Sequence, residues 1–357
     1  MNKDFWQNLP KPFFCLAPMA DVTDCVFRPL IAKYSKKNKN VVFWTEFVSA
    51  DGLMSAGREV LKKDLEYSEI ERPIVAQLFS SNVDNMRQAS RLCAELGFDG
   101  IDINMGCPDR SIEKQGCGAG MIKTPDVAKE IIQAVKDGIK DAGSIIPVSV
   151  KTRIGYNKIE VDTWIPFLLS QNISALTVHM RTRKEMSKVP AHWDLMKDIL
   201  KYRDEISPNT KIIGNGDVMN LAHARELSEK YDMDGVMLGR AIFGNPWLFD
   251  ENLNNKNRNT IFIKIRSMLK RFFGIKDKFW LDQKSDISIK QKLYVMIEHT
   301  KNFEDKLGNV KNFAIMKKHF KAYVNGFSGA KELRVSLIDN AKNADDVKNI
   351  VEKFLKN

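Results

Sequence analysis

Short apolar runs alternate with amphipathic stretches through the first 250 residues. Eight runs have the length and composition of strands: 13–19, 41–47, 74–79, 100–104, 147–151, 175–179, 211–215 and 235–238. The later ones are too apolar for burial on one face only, which is the pattern of parallel strands covered by helices. Helical signals fill the gaps. Over 82–96, Val83, Met86, Ala89, Cys93 and Leu96 recur at spacings of three and four, and Thr124-Pro125-Asp126 offers a cap residue followed by proline at a first helical position. This is a βα repeat. Eight units in about 240 residues predict an α/β fold, a closed (β/α)8 TIM barrel rather than an open doubly wound sheet.

The pattern changes after Pro246-Trp247. The expected organisation is a barrel over 1–250, a polar, asparagine-rich linker over 251–259 and a smaller all-α helical bundle over 260–357. Residues 311–327 give the clearest helix there. Phe313, Met316, Phe320, Tyr323 and Phe327 form its apolar stripe, and Lys317, Lys318 and Lys321 lie largely off it.

Composition adds limits. A hydrophobic fraction of 43% suffices for a large core. No apolar run approaches the ~18 residues of a membrane span, and the first twelve residues do not read as a signal peptide. The five cysteines are odd in number and do not pair at metal-ligand spacing, so a reduced, cytoplasmic chain without a metal is expected. Charge says more. Residues 1–250 hold 33 basic and 33 acidic side chains, whereas 251–357 hold 23 and 12, so the whole excess of +11 lies in the last 107 residues. Such asymmetry points to a polyanionic partner met by the C-terminal part, against the plainer reading of a lysine-rich soluble surface.

In a barrel of this kind chemistry collects where strands end, and here nearly every strand ends in functional groups. Asn215-Gly216-Asp217 and Gly239-Arg240 follow the last two strands, where barrels bind phosphate on backbone amides; two tight turns are the alternative. Gln77, Lys151 and His179 end strands three, five and six. They suit the polar edge of a flavin ring and the charge that collects near its N1 on reduction. A salt bridge from Lys151 to Glu46 or Asp102, and a satisfied core histidine, are the structural alternatives. Asn104-Met105-Gly106-Cys107-Pro108 forces a sharp loop that puts Cys107 at the mouth as a general acid or nucleophile. Cys15, Cys25 and Cys93 read as small buried hydrophobes. Gly116-Cys117-Gly118-Ala119-Gly120 reads as a mobile loop over the same mouth. No Cys/His/Asn hydrolase pattern accompanies Cys107, so proton donation is favoured.

At this point the chain resembles the tRNA-dihydrouridine synthase family. The matching stretches are residues 17–24 (APMADVTD), 104–108, Lys151-Thr152-Arg153, 179–183 (HMRTR), 239–249 (GRAIFGNPWLF) and 316–334. The resemblance implies FMN as cofactor and NADPH (or NADH) as reductant. It also implies hydride transfer from reduced flavin to C6 of a flipped tRNA uracil, with Cys107 protonating C5. By match, Pro18, Met19, Gln77, Lys151, His179, Asn215, Gly216, Asp217, Gly239 and Arg240 would hold FMN, and Asn104 and Arg181 are candidates for reading the uracil edge. Two other classes remain. A flavin oxidoreductase of a free small molecule would not need a separate basic module, and a non-catalytic RNA-binding barrel would not need every cofactor position filled.

Overall fold

The computed structural model describes residues 4–35, 40–251, 253 and 287–356. They fall into two compact units, one drawn from Met1–Ala32 and Lys39–Ala241, the other from Lys33–Asn38 and Ile242–Asn357. The expected linker over 251–259 lies outside the described residues except for Glu251 and Leu253.

The first unit is a closed barrel of eight parallel strands in sequence order, as the alternation predicts. The strands are β1 (Phe13–Leu16), β2 (Val41–Ser49), β3 (Ile74–Phe79), β4 (Gly100–Met105), β5 (Val148–Arg153), β6 (Ala175–His179), β7 (Lys211–Asn215) and β8 (Gly235–Leu238). Around and between them run α1 (Phe27–Ser35), α2 (Ala50–Leu53), α3 (Arg58–Leu61), α4 (Val83–Glu95), α5 (Arg110–Glu113), α6 (Pro125–Asp141), α7 (Val161–Leu169), α8 (Met196–Ile206) and α9 (Leu221–Tyr231). Asn82 caps α4, its side chain accepting from the Asn85 N–H at 3.0 Å. Thr124 stands at the cap position of α6, but its side chain makes no cap bond, so the fixed φ of Pro125 starts that helix. Helices α4 and α6 pack closely at Gly138, where a Cβ would stand 2.1 Å from the Arg87 carbonyl oxygen.

Alternation gives each strand an inward face. At the start of the strands that face is apolar: Phe13, Cys15, Val42, Trp44, Val75, Ala175, Ile213 and Met237 form one cluster. Trp6, in a 3-10 turn (Phe5–Asn8), is buried in the same cluster, 5.6 Å from the rings of Phe13 and of Trp44. The segment before β1 is thus a plug for the barrel floor, a role its sequence pattern does not announce. Toward the strand ends of β3 to β7 the inward positions turn polar, with Gln77, Asp102, Asn104, Ser149, Lys151, Thr177, His179 and Asn215.

The second unit contains α10 (Ile289–Leu307), α11 (Met316–Tyr323), α12 (Ala330–Asn340) and α13 (Ala344–Lys356). Their core includes Leu293, Met296, Phe303, Met316, Phe320, Tyr323, Leu337 and Val347. The helix expected over 311–327 is shorter than its apolar stripe. A 3-10 turn (Phe313–Ile315), begun by the Asn312 side chain, precedes it, and Gly326 at φ 76 lies beyond its end. Phe313 still packs on Phe320 and Phe327 on Phe354, so the stripe reports burial correctly and helix length wrongly. No helix among the described residues is long and apolar enough to cross a membrane.

Candidate active site

The register of β3, β4 and β5 builds the barrel mouth in layers. Gln77, Asp102 and Ser149 are neighbours across the three strands, and Asn104 and Lys151 are neighbours one inward position further on. Gln77 Nε2 donates to Asp102 Oδ2 at 2.6 Å, and Ser149 Oγ donates to Asp102 Oδ1 at 2.6 Å. Asn104 Nδ2 donates to Gln77 Oε1 at 3.1 Å. Burial raises the Asp102 carboxyl to about 6, against the bonds from Gln77 and Ser149 and the charge of Lys151.

Cys107 sits on the turn after β4, and both sides of that turn are held. Asn104 Oδ1 accepts from the N–H groups of Gly106 at 3.1 Å and Cys107 at 2.9 Å, an Asx turn. Arg153 Nε donates to the Gly106 carbonyl at 2.7 Å, and Thr152 Oγ1 to the Met105 carbonyl at 3.0 Å. The Cys107 carbonyl accepts from the Ala119 N–H at 2.9 Å. Gly118, at φ 58, runs so close that a Cβ there would stand 2.7 Å from the Cys107 carbonyl oxygen. The glycine run is therefore not a loose cover. Gly118–Lys123 is a 3-10 turn buried from Gly118 to Ile122, and Cys117 is buried with Phe79 and Ile112 in a cluster against which Cys107 packs. Burial raises the half-buried Cys107 thiol above its ordinary value, against a backbone bond from Asp109 and the charges of Lys151 and Arg153. It is a protonated thiol at neutral pH.

Lys151 forms neither of the ion pairs considered for it; no described residue bonds to its ammonium. Burial, helped by Arg153, lowers it to about 8, while Asp102 and Cys107 work the other way. His179 is held well below its ordinary value by burial and by the charges of Arg153, Lys151, Arg181 and Arg240. It is neutral, and its tautomer follows from its neighbour. Arg181 Nη1 lies 3.3 Å from His179 Nε2, and arginine can only donate, so Nε2 accepts and the proton sits on Nδ1.

Arg181 uses its remaining nitrogens on the Val189 carbonyl, at 2.6 Å, and on Asp217. Asp217 also accepts from Arg240 Nη2 at 2.7 Å and from the Ala191 N–H at 3.1 Å. The row Arg181–Asp217–Arg240 carries a net +1. Arg240 is 67% exposed and Arg181 3%, so the outer pair is the one that opens easily. The backbone N–H groups of Gly216, Asp217 and Gly239 donate to no other described residue. Gly216 takes φ 132, where a Cβ would stand 2.9 Å from that of Ala191. A Cβ on Gly239 would lie 3.6 Å from Met19 Sδ, so the ends of β1 and β8 meet there.

The candidate residues thus gather into two joined groups. Gln77, Asn104, Cys107 and Lys151 form one. His179, Arg181, Asn215, Gly216, Asp217, Gly239 and Arg240 form the other, with Met19 beside it. Pro18 follows β1 and makes no hydrogen bond to another described residue. Arg153 ends the stretch Lys151-Thr152-Arg153 but receives no role from the sequence pattern, yet it is buried and ties the loop after β4 to the loop after β6, donating also to the carbonyls of Thr182 (3.2 Å) and Met186 (3.1 Å). Arg183 joins Glu113 of α5 in the same region. A charged side chain at a strand-end position is the available signal for Arg153.

A sequence profile of the family described as Dihydrouridine synthase matches residues 15–357. The chain is 38% identical over 356 residues to a "Probable tRNA-dihydrouridine synthase" of Staphylococcus aureus (strain COL), covering 99% of this chain and 96% of that protein. It is 36% identical to "Probable tRNA-dihydrouridine synthase 2" of Bacillus subtilis (strain 168), covering 99% and 97%. Among solved structures, a 2-naphthoyl-CoA reductase complex aligns over 70% of this chain and 52% of its own, with TM-score 0.50 and 11% identity, a likeness of fold alone.

Proposed function

This chain belongs to the dihydrouridine synthase family, and we propose that it is a cytoplasmic tRNA-dihydrouridine synthase. It uses FMN, with NADPH or NADH as reductant, to saturate the C5=C6 bond of a tRNA uridine. The observation that carries this reading is the protonated Cys107 thiol, clamped by Asn104 and Arg153 at a mouth where Lys151 Nζ and His179 Nδ1 face no described partner. Those orphan donors, with the free amides of Gly216, Asp217 and Gly239 and the loosely paired Arg240, fit an FMN: amides and arginine for its phosphate, lysine and histidine for its ring. Pro18, Met19, Gln77 and Asn215 complete the set. When bound, FMN supplies the hydride that goes to C6.

The chain's own residues do the rest. Cys107 gives its proton to C5, and the thiolate left behind is stabilised by the charges of Lys151 and Arg153. The fixed turn keeps the thiol aimed at a base flipped into the mouth. Asn104 retains one N–H for a uracil oxygen. Arg181 has a partner on each nitrogen, and its contribution is to hold Asp217 and the His179 tautomer. The basic C-terminal unit meets tRNA phosphates.

The test is direct. Purified protein should be yellow, and with NADPH it should form dihydrouridine in an unmodified tRNA transcript, read by nucleoside mass spectrometry. Reduction of free uridine at the same rate would replace the tRNA reading with a small-molecule one. A colourless protein unable to take up FMN would remove the flavin.

A further inference from the structure

The hydrogen bonds below Cys107 have a direction. Two backbone N–H groups face Asn104, so its oxygen must lie toward the turn and its nitrogen toward Gln77. Independently, an ionised Asp102 can only accept, so Gln77 must turn its nitrogen down and its oxygen up toward Asn104. The two ends demand the same amide orientations. Asp102, Gln77 and Asn104 are all buried, and bonds aligned in one sense polarise each other in such surroundings.

From this chain of bonds we infer that Asp102 is a positioning residue for the proposed reduction, acting through Gln77 and Asn104 to hold the Cys107 turn. The consequence for catalysis rests on the dihydrouridine synthase reading; the relay itself does not. A proton on Asp102 Oδ2, the oxygen that Ser149 does not cover, puts a donor where Gln77 needs an acceptor. Gln77 then gains by rotating its amide, Asn104 must rotate in answer, and the N–H groups of Gly106 and Cys107 are left without their shared oxygen. The titratable groups facing Asp102 are Cys15 from β1, which burial keeps neutral, and Lys151 from β5. Those facing Cys107 are Asp109, Lys151 and Arg153.

The experiment is alkylation of Cys107 by iodoacetamide on the purified full chain, without tRNA or reductant, between about pH 5 and 9, with the site read by peptide mass spectrometry. After correction for thiolate fraction, the wild-type rate should change about fivefold across the Asp102 titration, near pH 6 where burial has moved that carboxyl. Asp102→Asn, an acceptor that cannot titrate, should abolish the inflection. Ser149→Ala deletes a bond that favours the charged carboxylate and should move the inflection to higher pH. Being nearly isosteric, it decides the matter even where Asp102→Asn fails to fold. In turnover, kcat should follow the same inflection while KM for tRNA stays constant. Alkylation profiles that are flat in the wild type, or unmoved by Ser149→Ala, overturn the relay. A wild type that shows the inflection but forms no dihydrouridine removes the functional reading and leaves the relay standing.

Discussion

The barrel mouth and the C-terminal helical unit are both rich in cations, but they hold them in opposite ways. At the mouth Arg153 and Arg181 are buried, and each is fixed by carbonyls, a carboxylate or a neighbouring ring. In the helical unit Lys321, Lys331, Lys342 and Lys348 are exposed over a core of apolar side chains. A fixed, desolvated charge acts strongly on one atom at one place. A solvated lysine acts weakly, through numbers, and tolerates displacement. Under the proposed function, the difference suits the first region to chemistry and the second to grip on a polyanion.

The sharpest way to break this contrast is at the thiol. Cys107→Ala should retain flavin and NADPH oxidation but lose about a thousandfold in dihydrouridine formation; unchanged product would remove the general acid and with it the reason for a rigid mouth. Arg153→Lys comes next. A lysine cannot span the carbonyls of Gly106, Thr182 and Met186 as the guanidinium fork does, so kcat should fall about tenfold to a hundredfold with little change in tRNA affinity. If affinity falls instead, the mouth grips rather than positions.

A third test falls on the helical unit. Burial and His319 hold His299 well below its ordinary value, so the folded state resists its protonation. The stability it contributes is present above its unfolded value near 6.5 and is lost as pH falls below it, at about 1.4 kcal/mol per pH unit. Urea denaturation at about pH 7 and 5.5 should show that decline, and His299→Gln should reduce it. The smallest effect is electrostatic. Lys321→Ala with Lys331→Ala should weaken tRNA binding and lower the salt slope of log K by about 0.7–0.9 for each phosphate no longer neutralised. An unaltered slope would move the footprint to the barrel.

How far the sequence carries depends on which quantity is asked of it. Strands β3, β6, β7 and β8 begin and end where their apolar runs do. β2 runs on to Ser49, because a bulge between Trp44 and Phe47 resets the alternation that closes the run at residue 47. β5 starts one residue late, since Pro147 has no N–H for the ladder and only its carbonyl is used, by Ile101. The glycine run after Cys107 reads as mobile because glycine marks both loose loops and close approach; only the 2.7 Å limit at Gly118 separates the two. At the site, the residue types at the strand ends are legible. Their pairing is not, because alternation says which way a side chain faces and nothing about its partner. Asp217 between two arginines, and the carbonyl-only partners of Arg153, follow from loop geometry that no local pattern encodes.

Barrel closure also sets a schedule. β1 lies between β2 and β8, with Phe13 opposite Gly235 and the Phe13 ring filling the space a side chain there would need. The first strand therefore waits for the last. At roughly 5–20 residues per second of synthesis, the ribosome takes about 11–45 s to travel from Leu16 to Leu238. During that time the β8-facing edge of β1, and the side of the Phe13 ring that covers Gly235, have no final partner. A growing chain in that state is a client for a chaperone, and a gene truncated just before Gly235 yields a sticky intermediate rather than a smaller enzyme.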